Sequence, residues 1–396
     1  MKFFSNFQLE HEKLTFEVHH LSHSFLNAIR RLIISDVETL AFRTEYGKES
    51  DIKIQTNTSS FHNEFLAHRI SLVPVFYDTS KISQYEKDKL EFFIDETNTK
   101  TKPIDITTEH IRIRDLSKEP PVEVSDAVRR KFFPPHRITG DFIPLVTLKP
   151  SRTGNSEEGE TLQVTMKADR SSGKEHARYT PTCVSIFTNL RDNEKIKQEI
   201  EKRIQEKNLV LTSQNKNPLS EEEKQQLVRS FDLSEADRFF QTDAAGEPNA
   251  FLFNIESDGR IPPHIILDKS LFILEARIHQ FLDQMNSDDF LIEKSDQNML
   301  AFDFIFENED YTLGYLLEHY LYTLYQNVEE PKIKYVAADV PHPLENKMVV
   351  RVALVNSSLH SDYIKELIKE SCKEIKKIIH LLQNELKANR EFVLDR

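Results

Sequence analysis

Histidine is the residue type in this sequence that most directly suggests metal or acid–base chemistry, because the chain contains 15 histidines. The densest group is His19, His20 and His23, but it adjoins a predicted strand end and includes no carboxylate or cysteine ligand. His62 and His68 are six residues apart on a predicted helix, a spacing that does not place two ligands on one face. We therefore interpret these histidines as polar surface residues and predict no histidine metal site.

Two Gly-Lys pairs, Gly47-Lys48 and Gly173-Lys174, suggest phosphate-binding loops, but in neither pair is the lysine followed by Ser or Thr. The chain has only 8 glycines among 396 residues, and it contains no GxGxxG, HExxH or GxSxG pattern. The sequence thus predicts no nucleotide-binding loop, zinc-protease helix or serine nucleophile. A hydrolase or transferase has no motif to support it, so we expect neither of these enzyme classes.

Charge and cysteine content narrow the function classes further. With 52 Lys+Arg against 65 Asp+Glu, the net charge of -13 disfavours a broad nucleic-acid-binding face, which must offset phosphate charge. Two cysteines, Cys183 and Cys372, cannot form a disulfide framework or a four-cysteine metal site. No secretory signal is visible, and no run approaches the roughly 20 apolar residues of a membrane span, so we expect a soluble protein of a reducing compartment.

The apolar pattern predicts the same order of elements near both ends of the chain. Near the start, a strand at 14–19 precedes a helix that Ser22 or Ser24 caps and that continues to about residue 35. Near the end, a strand at 300–306 precedes a helix capped by Thr312. Strands around 251–255 and 350–354 each precede a longer helix. This repetition predicts two similar sheet-and-helix units that pack on each other.

The apolar stripe at 267–281 is too apolar to face water, so we expect it to bury against the stripe at 313–324 or the stripe at 364–382. Arg30 and Arg31 lie beside the stripe of the first helix. The stripe residues that we expect in this intramolecular dimerisation interface are Phe25, Ile29, Leu267, Leu271, Leu274, Ile278, Leu313, Leu316, Leu317, Ile368, Ile375 and Leu382.

The middle of the chain has a different pattern. From about residue 77 to residue 241, short strand signals such as 162–166 alternate with loops, including a segment at 151–160 that is rich in Gly, Ser and Glu. Residues 193–227 are dominated by Lys, Glu, Gln and Asn, and we interpret them as a solvated helix pair rather than a binding tail. The polar break at 286–289 is the best candidate for a linker.

Six short segments resemble signatures of one known family. Segment 28–41, AIRRLIISDVETLA, resembles the α-motif of the large α-like subunit of multisubunit RNA polymerases. Segments 63–74, 173–179 and 255–263 are similar to three further signatures of that subunit, and 310–314 and 340–347 resemble its separate small α-like partner. Each segment alone is a weak signal, but their order along nearly the whole chain makes the resemblance specific.

The resemblance implies that one chain contains both α-like partners, a fusion similar to those in RNA polymerases of large DNA viruses. It implies an α+β fold with two dimerisation domains paired as a pseudo-heterodimer, the first interrupted by a mostly β insert domain. The implied limits are 1–50 and 245–286 for the split large domain, 51–244 for the insert, 287–290 for a linker and 291–396 for the small domain. An intracellular protein is expected, and for a viral source the implied locations are the host cytoplasm and the virion.

The family implies a non-catalytic assembly platform for transcription by a DNA-directed RNA polymerase, whose catalytic sites lie on its two largest subunits. The platform would bind the second-largest subunit and small zinc-binding subunits before the largest subunit joins, with little or no direct DNA contact and no membrane. The partner-binding residues that the motifs imply are Arg30, Arg31, Glu64, His68, Arg69, Lys174, Glu175 and His176. For the two arginines, a solvated helix edge is the alternative interpretation.

One departure from the family concerns metal. Many large α-like subunits carry a cysteine-ligated zinc or iron–sulfur site in the insert, but Cys183 is the only cysteine in that part of this chain. We therefore predict no metal and no other cofactor. The alternative function is a stand-alone nucleic-acid-binding or scaffold factor that reuses the α-like fold, although the acidic charge and the absence of Trp speak against it.

Overall fold

The computed structural model describes residues 2–44, 50–151, 159–287, 290–295, 301–356 and 360–394. The Gly47-Lys48 pair, most of the loop at 151–160 and residues 288 and 289 of the expected linker lie outside the described residues. The chain forms two compact units: the first unit is Met1–Leu32, Val184–Glu256 and Leu267–Arg396, and the second unit is Ile33–Cys183 and Ser257–Ile266. The domain limits expected from the family resemblance stay a prediction.

The helices and strands have the following bounds. The strands are β1 (Phe4–Glu10), β2 (Lys13–His19), β3 (Thr39–Phe42), β4 (Ile52–Asn57), β5 (Leu90–Thr97), β6 (Ile104–Thr107), β7 (Arg112–Asp115), β8 (Val122–Glu123), β9 (Pro144–Leu148), β10 (Thr161–Met166), β11 (Ala168–Ser171), β12 (Thr182–Asn189), β13 (Ala250–Ser257), β14 (Ile292–Ser295), β15 (Ala301–Glu307), β16 (Ile333–Asp339) and β17 (Lys347–Leu354). The helices are α1 (His23–Ser35), α2 (Asn63–Ser71), α3 (Asp126–Phe132), α4 (Asn193–Ser213), α5 (Glu221–Ser234), α6 (Pro263–Met285), α7 (Tyr311–Leu321) and α8 (Ser361–Leu394).

The first unit is built on two four-stranded sheets with matching strand orders. One sheet has the order β1-β2-β13-β12, and the other has the order β14-β15-β17-β16. α1 follows β2 as α7 follows β15, and the long helices α6 and α8 follow β13 and β17. The predicted repetition of a strand followed by a helix is therefore confirmed, and the strand orders of the two sheets match as well.

The sequence predicts the cap of α1 correctly but not the cap of α7. The Ser22 hydroxyl accepts a hydrogen bond from Phe25 N at 3.2 Å, so Ser22 caps α1, and α6 begins at Pro263. The prediction that Thr312 caps α7 is wrong. Asp310 is the cap, and its carboxylate accepts a hydrogen bond from Thr312 N at 2.7 Å. A carboxylate at this position also interacts favourably with the positive end of the helix dipole.

The predicted apolar stripes lie in the core of the first unit. All twelve stripe residues are buried, and none exposes more than 2% of its surface. Phe281 of α6 stacks on Phe306 of β15, with ring centroids 3.9 Å apart. Glu385 of α8 accepts hydrogen bonds from the backbone N–H groups of Phe3 and Phe4, each at 2.9 Å. The beginning and the end of the chain therefore contact each other within this unit.

The helices α4 and α5 confirm the predicted solvated helix pair. α4 buries none of its residues, and α5 buries only Phe231. Arg203 of α4 holds the pair together, because its guanidinium lies 4.8 Å from the Phe231 ring centroid and donates to both carboxylate oxygens of Glu235, at 2.6 and 2.8 Å. Ser220 and Glu223 form a capping box that starts α5.

The second unit has its own apolar core, surrounded by three sheets and the helices α2 and α3. The largest sheet has the order β4-β10-β5-β7-β8, and β3 pairs with β11 as β6 pairs with β9. The ring of Phe92 makes edge contacts with Phe42 and Phe133, at centroid distances of 5.2 and 5.9 Å. These aromatic contacts place the short strand β3 against the five-stranded sheet.

Candidate docking site

Parts of the four signatures of the large α-like subunit converge on β3 in the second unit. Leu40 of β3 forms a β-bridge with Val75, which directly follows segment 63–74. The hydroxyl of Thr39 donates to the carbonyl of Tyr179 at 2.6 Å and accepts from Arg260 Nη1 at 3.0 Å. Segments far apart in sequence therefore share hydrogen bonds around one strand.

Arg260 is the centre of this arrangement. Only 8% of its surface is exposed, and its guanidinium donates to the carbonyl oxygens of Arg178 at 3.1 Å and Thr180 at 2.6 Å. Its Nε forms an ion pair with Asp258 at 2.6 Å. We assigned no role to Arg260 from the sequence; the signal that could have drawn attention to it is a basic residue inside the signature at 255–263.

The predicted docking residues Lys174 and Glu175 both form ion pairs within the second unit. Lys174 Nζ lies 3.0 Å from a carboxylate oxygen of Asp36. Glu175 accepts two hydrogen bonds from the Arg43 guanidinium, at 2.6 and 2.9 Å, and this interaction lowers the pKa of Glu175 despite the opposing effect of burial. Their contacts connect segment 173–179 to Asp36 and Arg43, on either side of β3 in the same unit, while a role in binding a partner stays a prediction.

His176, the third predicted docking residue of this segment, starts a short helical turn. Its Nδ1 accepts a hydrogen bond from Arg178 N at 3.1 Å. The Arg178 guanidinium then donates to the carbonyl oxygens of Phe42 at 3.1 Å and Thr44 at 2.8 Å. The structure thus gives this histidine a positioning role for Arg178, and it leaves partner binding untested.

The helix α2 presents the remaining predicted residues of the second unit at the surface. Glu64 and His68 are exposed, and Arg69 Nη2 donates to the first carbonyl oxygen of β9 at 2.9 Å. Phe65 of α2 and Leu72, which directly follows α2, expose 54% and 50% of their surfaces. Exposed apolar groups beside charged residues are typical of a protein-binding surface.

The two arginines of α1, in the first unit, have different environments. Arg31 Nε donates to the Thr312 hydroxyl at 2.7 Å, and its Nη2 lies 3.8 Å from the Asp310 carboxylate. Arg30 instead donates twice to the side-chain oxygen of Asn27 in its own helix, at 3.0 and 2.8 Å. Burial and the neighbouring charge of Arg31 lower the pKa of Arg30. No carboxylate in the described part of the chain forms an ion pair with Arg30.

A buried ion pair that sequence analysis missed lies beside Arg31. Arg277 of α6 contacts Glu309 at 2.5 Å and Asp310 at 3.4 Å, and the Arg277 and Glu309 side chains expose only 9% and 5% of their surfaces. Burial acts to raise the pKa of Asp310, but hydrogen bonds from Thr312 and the charges of Arg277 and Arg31 outweigh it, so the pKa is lowered.

We expect Asp310→Asn to make the chain less sensitive to acid. The lowered pKa means that the Asp310 charge stabilises the folded state above the ordinary aspartate value of about 3.9, and this contribution disappears as the pH falls through the lower folded pKa. Asparagine keeps the helix cap but cannot titrate. The free energy of unfolding, measured by urea denaturation from neutral pH downwards, should therefore fall less steeply in the variant. An equally steep fall would contradict this prediction, and Asp362→Asn at the start of α8 is the control.

Among the described residues, no group of three His, Cys, Asp or Glu side chains could hold a metal ion. Cys183 is exposed, and Cys372 is buried, which raises the pKa of its thiol to about 12 and leaves it unreactive. The expected lack of a metal stays a prediction. No helix in the described segments is long and apolar enough to cross a membrane.

Comparison with protein families gives two matches in separate parts of the chain. Residues 15–278 match a model described as the RNA polymerase Rpb3/Rpb11 dimerisation domain, and residues 301–385 match a second model with the same description. The first match includes every predicted docking residue, and the second begins at the first residue of β15 and ends within α8.

Similar curated proteins include named polymerase subunits. The human DNA-directed RNA polymerases I and III subunit RPAC1 is 20% identical over 309 residues, which are 70% of this chain and 83% of that subunit. The DNA-directed RNA polymerase subunit Rpo3 of Pyrococcus furiosus is 24% identical over 272 residues, 66% of this chain and 88% of that subunit. A conjugation stage-specific protein of Tetrahymena thermophila is 22% identical over 196 residues, 46% of this chain, and the match spans little more than half (57%) of its length.

Proposed function

Because the chain belongs to the family of the RNA polymerase Rpb3/Rpb11 dimerisation domain, we propose that it is a non-catalytic subunit of a DNA-directed RNA polymerase. The observation that carries this proposal is the presence of two such domains in one chain, at 15–278 and 301–385. Similarity to RPAC1 and Rpo3, which are named as polymerase subunits, supports it.

In this proposal the chain fuses the large and the small α-like partners, and the two halves pair with each other as a pseudo-heterodimer. The matching strand orders of the two sheets in the first unit support the fusion. The burial of all twelve stripe residues and the contacts of Arg31 with Thr312 and of Arg277 with Glu309 support the pairing. Fusion holds the two halves at a high effective concentration, so they can pair without first meeting as separate molecules in solution.

The proposed domain organisation follows the family: 1–50 and 245–286 form the split large domain, 51–244 the mostly β insert, 287–290 the linker and 291–396 the small domain. The five-stranded sheet and the β6-β9 pair of the second unit support a β-rich insert. For a source among large DNA viruses, the proposal extends to a role in the host cytoplasm and the virion.

The proposed partners are other subunits of the polymerase. The second-largest subunit docks through α1, small zinc-binding subunits follow, and the largest subunit joins last. The exposed side of α2 is a further proposed contact for a polymerase subunit. Arg30, Glu64 and His68 support this docking, because their charged or polar groups lie at the surface or bond only within their own helix. The chain itself makes little or no contact with DNA.

Co-expression of the full chain with the second-largest subunit of the same polymerase tests this function. Arg30→Glu should reduce the co-purified amount of that subunit by about tenfold, because charge reversal at an interface repels the surface that the arginine attracts. Arg31 is left unchanged because it bonds Thr312. The matched control is Lys197→Glu on the exposed helix α4, which should leave co-purification unchanged. Equal recovery with Arg30→Glu and with the wild-type chain would contradict the docking assignment.

A further inference from the structure

The sheet β14-β15-β17-β16 has an apolar row on the side that faces away from the core, which we call its outer face. In β15, Phe304 and its inward neighbours are buried, whereas Ile305 is only half-buried and lies on the outer face. Val349 of β17 lies directly opposite Ile305 and is also half-buried. Leu291, whose carbonyl oxygen accepts from Ile305 N at 3.2 Å, exposes 56% of its surface. Three neighbouring apolar side chains therefore face water.

The other four-stranded sheet of the first unit is polar at the equivalent place. Glu17 of β2 and Ile305 of β15 both lie six residues before the helix that follows their strand. Glu17 pairs with Leu252 of β13, and on its other side it accepts a hydrogen bond from the Ser5 hydroxyl of β1 at 3.1 Å. A polar row is thus compatible with this position in the fold, so the apolar row of the second sheet is not required for folding.

A cavity of about 690 Å³ opens over the apolar row, and its lining includes all three residues of that row. Pro341 and Glu345 form part of its wall. Both belong to segment 340–347, a family signature to which the proposed function assigns no role. In the same turn, Leu344 exposes 87% of its surface. Because proline fixes its own backbone angle, this wall is rigid and the cavity exists before a partner binds.

Carboxylates outnumber basic groups around this cavity. The charged residues of its lining are Glu293, Asp303, Asp339, Glu345, Lys347 and Arg351. Arg351 donates to both carboxylate oxygens of Asp303, at 2.7 and 2.6 Å, so these two charges neutralise each other. The other three carboxylates are exposed and face a single lysine. The apolar row therefore lies within a negatively charged rim, which attracts positive charge on a partner.

We infer that the outer face of this sheet is a docking surface for an extended protein segment in which basic side chains flank a short apolar run. The inference rests on the proposed function, because the segment would belong to another protein of the polymerase. Its apolar side chains cover Ile305 and Val349, and its basic side chains reach Glu293 and Asp339. These two carboxylates lie on the opposite edge strands β14 and β16, about 15 Å apart at the usual strand spacing. Basic residues about four or five positions apart in an extended segment span this distance.

Thiol protection in the purified polymerase tests the inference. Ile305→Cys and Glu17→Cys place a cysteine at equivalent positions of the two sheets, and mass spectrometry follows their labelling by N-ethylmaleimide separately from that of Cys183 and Cys372. Both introduced thiols should react in the isolated chain. In polymerase purified through the full chain, labelling of residue 305 should slow by at least about tenfold, whereas labelling of residue 17 should not.

The possible results of this experiment separate the inference from the proposed function. Equal labelling of residue 305 in the isolated chain and in the polymerase would overturn the inference and leave the proposed function intact. Purification of the chain without any polymerase subunit would overturn both.

Charge reversal tests the chemistry of the docked segment. Adding Glu293→Lys and Asp339→Lys to the Ile305→Cys chain should repel a basic segment and raise the labelling rate of residue 305 in the polymerase by about tenfold. The matched control adds Glu201→Lys and Glu222→Lys on the solvated helices α4 and α5 and should keep the protection. Protection that persists or increases after reversal on the sheet would indicate an uncharged or acidic segment and would overturn the inference.

The buried thiol of Cys372 reports folding in the same spectra, because it stays unlabelled in a folded chain. If the charge variant unfolds, the salt dependence of the Ile305→Cys polymerase replaces it. Protection of residue 305 should weaken as salt is added, since salt screens the attraction between the carboxylates and the basic segment. Protection that is independent of salt would overturn the inference.

Discussion

Replacing Arg277 with alanine should lower the free energy of unfolding by about 3–5 kcal/mol, because the substitution leaves a buried carboxylate without its charged partner. Glu309 contacts Arg277 at 2.5 Å, and its side chain is only 5% exposed. A buried carboxylate that loses a charged partner recovers less hydration than it would in bulk water, so it bears part of its desolvation cost. Urea denaturation at neutral pH measures the effect.

The double substitution Arg277→Met/Glu309→Met is the matched control. It removes both charges and fills the space with apolar side chains. Replacing a buried ion pair by apolar residues of similar volume often leaves the stability unchanged or raises it. We therefore expect the double variant to be far more stable than the Arg277→Ala variant. Exposed ion pairs typically contribute less than about 1 kcal/mol. If Arg277→Ala alone lowers the free energy of unfolding by less than this, the Arg277–Glu309 pair is not buried in solution.

Replacing Arg260 with alanine should have an effect of similar size on the second unit, about 3–5 kcal/mol. The substitution removes the ion pair with Asp258 and three further hydrogen bonds, including those to the carbonyl oxygens of Arg178 and Thr180. Each buried carbonyl left without a donor adds its own desolvation cost. Limited proteolysis and hydrogen exchange of segments 173–179 and 255–263 should show local opening.

Arg260→Lys is the control for charge. A lysine keeps the positive charge but cannot reproduce the planar set of donors that reaches Asp258, Thr39 and two carbonyls together. We expect it to recover only part of the lost stability. Full recovery with lysine would show that charge alone matters here and would contradict the geometric role assigned to the guanidinium.

Periodic apolar patterns made much of the first unit predictable. The stripe of α1 follows from residues close together in sequence, whose spacing alone selects a helix. The cap of α7 was predicted wrongly because Thr312 and Asp310 are both good capping residues, and local sequence alone did not decide between them.

Contacts between distant residues were the part that the sequence did not reveal. Arg260 and Thr39 are 221 positions apart, and Arg31 and Thr312 are 281 positions apart. Neither hydrogen bond can therefore be predicted from a local sequence pattern. The same reason explains why Lys174 was predicted only as a docking residue. A charged side chain in a motif has the same appearance in sequence whether it binds a partner or an aspartate of its own chain, as Lys174 binds Asp36.

Purification of the full chain from its native source, followed by mass spectrometry of the proteins that accompany it, tests the central claim most directly. We expect the second-largest subunit of a DNA-directed RNA polymerase in equimolar amount, together with the largest subunit and small zinc-binding subunits. Recovery of the chain without polymerase subunits, combined with tight binding of nucleic acid by the isolated chain in a filter assay, would contradict the account and favour a stand-alone factor.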